Sequence, residues 1–273
     1  RLNLENYNQL YNNILKIFGR IRFYRDLNKV VFDFFSDKRV VAGYSTDCGG
    51  SWRYNTKEDH TNYELLAKEF GVSANRLVRV HQNHTNNILV VDGSNGGEGA
   101  IREGTADFYD GIITTEENLM LCVVTADCVP VFLFDSKNNV VGIVHSGKAG
   151  TAKAIVANAV LAMQERFNTR PENLQCILGP YISQKNYQLQ KKDIVEFDEH
   201  FTKEECESFI LAGEGGYYPD LGEAIAITLE KVGVNRKNIF DSRICTFGNK
   251  DLFSFRRDRI YKHLISFIMI KRE

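Results

Sequence analysis

Two histidines and a cysteine stand at or just beyond the ends of apolar runs. Val124-Thr125-Ala126-Asp127-Cys128-Val129-Pro130 stops at an acid, a thiol and one of only four prolines, and seventeen residues after Cys128 a second run ends at Val144-His145-Ser146-Gly147. His84 closes a third segment, Val80-His81-Gln82-Asn83-His84-Thr85. Thiolate and imidazole are preferred zinc ligands, and three protein ligands leave a fourth position open for water or substrate. Such a centre acts as a Lewis acid or lowers the pKa of water to about 7. The expectation is one site built from His84, Cys128 and His145. Spacing alone does not enforce it: 44 residues separate His84 from Cys128, no CxxC or helical HxxxH pair is present, and His81 rivals His84. His60, His200 and His263 sit in charged or helical contexts and read as bland.

The elements that must position these groups follow from periodicity. Gly111 to Thr115, Met120 to Thr125, Val129 to Asp135 and Val140 to His145 are short β-rich runs separated by polar turns, expected to form the core of one sheet. Upstream, Val30–Phe35, Arg39–Tyr44, Arg76–His81 and Ile88–Asp92 read as strands, and residues 56 to 70 as a helix ended by Gly71. Residues 5 to 19 carry a helical pattern, making 1–28 a helical lead-in. After Gly147 the pattern turns helical, with Thr151 as N-cap of a helix to Phe167. Gln175 to Leu178 is a strand, 191 to 211 one or two surface helices, Asp220 to Val232 a helix, and Ile239–Cys245, Leu252–Phe255 and Leu264–Ile270 are final apolar segments. No linker or repeat divides the chain, so one α/β domain spanning 1–273 is expected. The Gly93–Gly104 loop holds five glycines but lacks the strand and helix context of a phosphate-binding motif.

Composition narrows the partners. Net charge is -1 with the charges interspersed, which leaves no basic stripe for nucleic acid or an anionic membrane. No stretch reaches the roughly 18 apolar residues that span a bilayer, and no signal-like apolar core opens the sequence, so the cytoplasm is the expected location. Six cysteines are scattered without paired spacing and read as reduced thiols; Cys122, Cys176 and Cys245 have apolar neighbours and read as small core residues.

Taken in order, Gln82-Asn83-His84, Tyr109-Asp110-Gly111-Ile112-Ile113-Thr114, Thr125-Ala126-Asp127-Cys128-Val129-Pro130, Val144-His145-Ser146-Gly147, Gly179-Pro180 and Phe253-Ser254-Phe255-Arg256-Arg257-Asp258 resemble the YfiH-like family. Its members have been labelled laccase-domain proteins, polyphenol oxidases and purine nucleoside phosphorylases. The resemblance runs from about Gly43 to about Ile270. It implies a four-layer αββα sandwich with mixed sheets and a zinc site whose ligands are His84, Cys128 and His145. It also implies phosphorolysis of adenosine, inosine, guanosine and methylthioadenosine, together with adenosine deamination, with purine nucleoside and phosphate as partners.

The chain departs from the family pattern around those ligands. Lys148 and Ala149 stand where the family has Trp and Arg, Asp47 where it has Arg, and Lys262 and His263 where it has Gly and Arg. Lysine is a point charge and does not reproduce a bidentate guanidinium contact. An intact metal site with altered substrate recognition is therefore expected, with Arg256, Arg257 and Lys148 as substrate-binding candidates. For the two arginines a structural ion pair with Asp258 is the competing reading. Asp127 reads as an acid supporting the ligands or the local fold, and Asp110 as a strand terminator left outside the catalytic set.

Other chemistries compete. Two histidines and a cysteine also suit a blue-copper centre, but oxygen reduction coupled to phenol oxidation needs several more copper ligands, and the chain has six histidines in all. Cys128 as nucleophile with His145 as base would make a cysteine hydrolase or amidase. A degenerate paralogue that binds metal without turnover is the non-enzymatic alternative.

Overall fold

Alternating side chains along β7 (Met120–Thr125) settle how the layers stack. Met120 and Cys122 pack with Tyr63, Leu66 and Ala67 of α1 (Lys57–Glu69), whereas Leu121 and Val123 join an interior shared with Phe132 and Phe134 of β8 (Val129–Asp135). On β8 the other parity, Val129, Val131 and Leu133, meets α3 (Ile155–Phe167) and α6 (Leu221–Lys231). Three apolar interfaces therefore separate helix, sheet, sheet and helices. This is the four-layer αββα sandwich expected from the resemblance. Because both faces of each sheet are covered, its strands are near-continuous apolar runs. The computed structural model describes residues 21–24, 29–32, 35, 37–46, 52, 57–104 and 108–272. The expected helix over 5 to 19 and the departure at Asp47 lie outside them.

The first sheet has the order β1-β2-β3-β14-β7-β4, with β1 at Ile21–Tyr24, β2 at Lys29–Phe32, β3 at Val40–Ser45, β4 at Leu77–Arg79 and β14 at Leu264–Ile270. The second has the order β13-β10-β8-β9-β6-β5, with β5 at Ile88–Val90, β6 at Gly111–Thr114, β9 at Val140–Ser146, β10 at Gln175–Leu178 and β13 at Ile239–Asp241. Both sheets are mixed, since β4 lies parallel to β7 and β5 parallel to β6 among antiparallel pairs. Edge-on ring pairs tie them together: Phe32 to Phe132 at 5.4 Å and Phe35 to Phe134 at 5.5 Å. Each such pair adds about 0.5–1.5 kcal/mol beyond its buried area.

Four expectations need correction. The runs β6 to β9 do not share one sheet: β7 pairs with β14 and β4, while β6, β8 and β9 pair with one another in the second sheet. Residues 126–128 are therefore a crossover between layers and not a hairpin turn. The 1–28 lead-in is not wholly helical, because it contains β1, which pairs antiparallel with β2 just beyond it. The helix placed at 151–167 is two, α2 (Lys148–Ala152) and α3, broken at Ala154 in the left-handed region (φ 55°). Thr151 lies inside α2, where its hydroxyl meets that of Ser146 at 2.8 Å, and Gly147 takes the N-cap position. Finally, residues 191 to 211 hold α4 (Lys191–Ile194) and α5 (Lys203–Phe209), and then β11 (Ile210–Gly213), which pairs with β12 (Gly216–Pro219) in a hairpin the sequence reading did not anticipate.

One defect in this packing is testable. Ser266 of β14 is wholly buried and its hydroxyl has no hydrogen-bond partner among the described residues. An unsatisfied buried hydroxyl costs about 1–3 kcal/mol. Ser266→Ala is expected to raise stability by about 1 kcal/mol in urea titration; a loss of stability would show that the hydroxyl has a partner.

Candidate metal centre

Each ligand arrives by a different backbone device. Cys128 stands at the end of the crossover from β7 to β8, where Asp127 adopts φ 92°. The carboxylate of Asp127 fixes that conformation from two sides. It accepts Thr246 Oγ1–H at 2.6 Å and the backbone N–H of Arg256 at 2.7 Å, and the Asp127 carbonyl accepts Ile182 N–H at 3.0 Å. His145 is carried by the C-terminal end of β9. His84 lies in the loop between β4 and β5, itself in the left-handed region (φ 55°).

That loop is held by two side chains. Gln82 copies a strand: its amide donates to the Val124 carbonyl at 2.7 Å and accepts Val124 N–H at 2.8 Å, so it extends the β7 ladder beyond β4. Asp110, with no exposed surface, does more. It accepts backbone N–H groups of Asn83, His84 and Thr85 at 3.2, 3.1 and 2.7 Å, the Thr85 hydroxyl at 2.8 Å, and Nδ1–H of His145 at 2.7 Å. One carboxylate thus orients both histidines.

The donor atoms of His84, Cys128 and His145 lie within 4.8 Å of one another, and the two imidazole centroids are 4.9 Å apart. They form the one such three-residue group among the described residues. Because Asp110 takes Nδ1–H of His145, Nε2 is the nitrogen left for a ligand role. A carboxylate behind a ligating histidine is the usual partner that fixes its tautomer and ring orientation. Gly147 makes the convergence sterically feasible, since a Cβ there would stand 2.8 Å from both Cys128 Sγ and His84 Nδ1. The donor set and its partners fit a single borderline-soft metal ion.

The charges agree with this geometry. Burial opposes ionisation of Asp110, but the hydrogen bond and charge of His145 and the N–H and hydroxyl of Thr85 outweigh it and hold the carboxyl down at about 2. Burial likewise opposes charge on His145. Cys128 and Asp110 beside it reverse that and push its pKa up to about 9. His84 moves down, through burial first and then the neighbouring His145. A proton and a metal compete for this His145–Cys128 pair.

The triad forms part of the lining of a cavity of about 390 Å³ whose other walls include Arg79, His81, Phe255, Tyr261, Lys262 and His263. Two of the altered positions, Lys262 and His263, therefore reach the cavity, His263 having been read as bland from its sequence context. The three substrate-binding candidates do not line this cavity. Lys148 reaches away to Glu196 at 2.6 Å. Arg256 donates to the Gln188 carbonyl at 2.7 Å and lies over the Tyr187 ring at 5.2 Å. Arg257 is saturated: it chelates Asp258 and donates to the carbonyls of Thr246, Phe247, Asn249 and Leu252. The competing reading of Arg257 as a structural ion pair is thus the better one. Arg79, Phe255 and Tyr261 were not singled out as site residues, and Asp110 was weighed and set aside. For Asp110 the signal was present in the apolar run that follows it, but its reach to residues 83–85 is a tertiary fact.

Of the cysteines read as core, Cys122 and Cys176 are buried between layers as expected. Cys245 differs. Its sulfur accepts N–H groups from Ser183, Asn186 and Gly248 at 3.3, 3.3 and 3.4 Å, and these lower its pKa although burial raises it.

With fold and site in place, comparison with known proteins gives the class. The sequence model described as multi-copper polyphenol oxidoreductase laccase matches residues 41–271. The chain belongs to that family. It is 31% identical over 209 residues to a purine nucleoside phosphorylase of Streptomyces coelicolor, covering 77% of this chain and 81% of that one. It is 29% identical over 239 residues to purine nucleoside phosphorylase YlmD of Bacillus subtilis, covering 82% and 86%. Among solved structures, YlmD of Geobacillus stearothermophilus superposes with a TM-score of 0.85 at 26% identity, over 93% of this chain and 100% of that one. The hypothetical protein YfiH of Bacillus licheniformis gives 0.83 at 27%, over 90% and 97%.

Two substitutions test the architecture. Asp110→Asn keeps the size of the side chain but removes the charge behind His145; metal affinity, read by competition with a chelating dye, is expected to fall about 10–100-fold. Gly147→Ala places a methyl group against two ligands. It should fold with a lowered melting temperature and lose most bound metal by mass spectrometry of the eluted ions, and full metal content in this variant would refute the close approach.

Proposed function

We propose that this chain, acting as a single domain in the cytoplasm, is a zinc-dependent purine nucleoside phosphorylase with adenosine deamination as a second activity. The observation that carries the reading is the convergence of His84, Cys128 and His145 in a cavity whose wall also holds Arg79 and Lys262. The names of the relatives support the substrate class, and the donor set supports zinc. The family description speaks of several copper ions, whereas the described residues group donors for one.

A zinc ion on these three ligands supplies Lewis acidity and a fixed positive charge inside a partly enclosed cavity. The chain supplies the rest. Phosphorolysis breaks the bond between the anomeric carbon and the base nitrogen, forms a bond from a phosphate oxygen to that carbon, and leaves the base nitrogen to take a proton. Arg79 and Lys262, with His263 when protonated, put positive charge on the wall where a phosphate dianion must be held against the ribose. Arg79 is anchored through Nε to the Gly99 carbonyl at 2.9 Å, which fixes the direction of its guanidinium. Asp110 keeps His145 from turning and keeps Nδ1 protonated. In deamination, water adds at C6 of adenine and ammonia leaves, so the base and not the anomeric carbon is the end of the nucleoside that must be presented to the His84, Cys128 and His145 group.

One feature favours a second reading. His145 stands between Cys128, whose sulfur lies within 4.8 Å of the ring, and Asp110, to which Nδ1–H donates at 2.7 Å, the order of a nucleophile, base and orienting acid in cysteine hydrolases. Metal on Cys128 and nucleophilic attack by its sulfur exclude each other. The two are separated by one preparation made without metal-affinity tags. Phosphate-dependent release of hypoxanthine from inosine, with about one zinc per chain, is expected, and Cys128→Ala should abolish at least about 100-fold of it. If thoroughly stripped protein keeps its activity and is inactivated by a thiol alkylator, the metal reading is wrong and the hydrolase reading stands.

A further inference from the structure

Two aromatic side chains line the same cavity while exposed to solvent. Phe255 is 38% and Tyr261 71% accessible, and their rings are tilted at 43° with centroids 5.3 Å apart. Both are among the cavity-lining residues. We infer that Phe255 and Tyr261 form the wall on which the planar base of the nucleoside stacks; this rests on the function proposed above and names the residues that would read its aglycone.

Phe255 has a fixed origin. Ser254 caps α7 (Phe255–Asp258) by accepting Arg257 N–H at 3.2 Å, and the next backbone N–H, that of Arg256, is held by Asp127 at 2.7 Å. Asp127 adjoins Cys128. The aromatic wall and the metal ligand are therefore anchored to one carboxylate, which sets the distance between the base site and the reacting end of the cavity. Four of the six bonds around the Arg257 guanidinium hold the chain behind Phe255 against the 246–252 loop, and the other two go to Asp258. Tyr261 comes from the short connection that precedes β14, whose first residue, Leu264, pairs with Thr125 at the end of β7. Its ring lines the same cavity and meets that of Phe255.

The chemistry of such a wall matches a nucleobase. An aromatic face attracts any flat π-system and does not discriminate among purines by hydrogen bonds, so stacking contributes affinity with little preference between them. The cationic side chains Arg79 and Lys262 belong to the same cavity, which gives a ligand with one flat apolar end and one anionic reaction partner complementary surfaces at both.

Calorimetric titration of hypoxanthine into the zinc-loaded protein, beside steady-state kinetics on inosine, tests this. Phe255→Leu and Tyr261→Leu should weaken hypoxanthine binding and raise KM for inosine by about 5- to 100-fold with little change in kcat. Zinc content should stay at the wild-type level, and Tyr261→Phe should restore binding to nearly that of the parent. Inosine turnover with KM unchanged in both leucine variants overturns the wall and leaves the phosphorylase reading intact. Hypoxanthine binding that the leucine variants weaken, in a protein that does not phosphorolyse inosine, supports the wall and rejects that activity. Failure of the wild type to bind the base overturns both.

Discussion

A single buried carboxylate holds this site together. Asp110 is the last residue before β6, and it spends its two oxygens on three backbone N–H groups of the 83–85 loop, one hydroxyl and one imidazole. A carboxylate accepting this many donors stays ionised even when fully buried, because each donor offsets part of the desolvation penalty. The His84 backbone, strained into the left-handed region, is stable there only because its own N–H and both neighbouring N–H groups have this acceptor. Loss of the charge would release the loop and the ring together. The two histidines are thus not independent donors but one unit with a common anchor.

The layered fold explains why such an anchor is required. Cys128 is delivered by a crossover from one sheet to the other, His145 by the second sheet, and His84 by a loop that leaves the first sheet at β4 and enters the second at β5. Three ligands from two packed sheets keep their spacing only if the sheets are locked in register at this edge. Gln82 does so on the first sheet by joining the β7 ladder, and Asp110 does so on the second, with Asp127 tying the crossover to the 182, 246 and 256 segments. Packing between Phe32, Phe35, Phe132 and Phe134 holds the sheets apart at the distance those hydrogen bonds need.

Strands whose faces are both buried were legible, because a continuous apolar run of four to seven residues bounded by turns has few other uses; β7, β8 and β10 begin and end where the sequence reading put them, and β14 fills the apolar segment 264–270, to which the sequence reading assigns no structure. Their partners were not legible. The turn at Ala126-Asp127-Cys128 has the length of a hairpin, and nothing local states that it changes sheets. The break at Ala154 was hidden because alanine is a strong helix former and is found here in a left-handed conformation that it disfavours. The ligand triad itself was weakly readable from residue types and became specific only through the family resemblance. The basic candidates failed for a physical reason: a cationic side chain near a site in sequence takes whichever acceptor its backbone presents, and for Lys148 that is Glu196 and for Arg257 a ring of carbonyls.

The altered positions follow from the same principle. Lys148 starts α2 one residue after the glycine that touches both His84 and Cys128, so its backbone is fixed by the site, yet its ammonium is spent on pinning α2 to the 195–199 turn. Its charge is thereby neutralised at the site and converted into support for the helix. Lys262, one of two replacements on the other side, lines the cavity and extends over Phe253 at 5.6 Å, beside the chain that carries the exposed aromatic pair. Positive charge has therefore not vanished from this member of the family: Lys262, just before β14, and Arg79, at the end of β4, both line the cavity. The altered positions thus part company in the fold: Lys148 is drawn off to Glu196, whereas Lys262 and His263 remain on the cavity wall beside His84, Cys128 and His145.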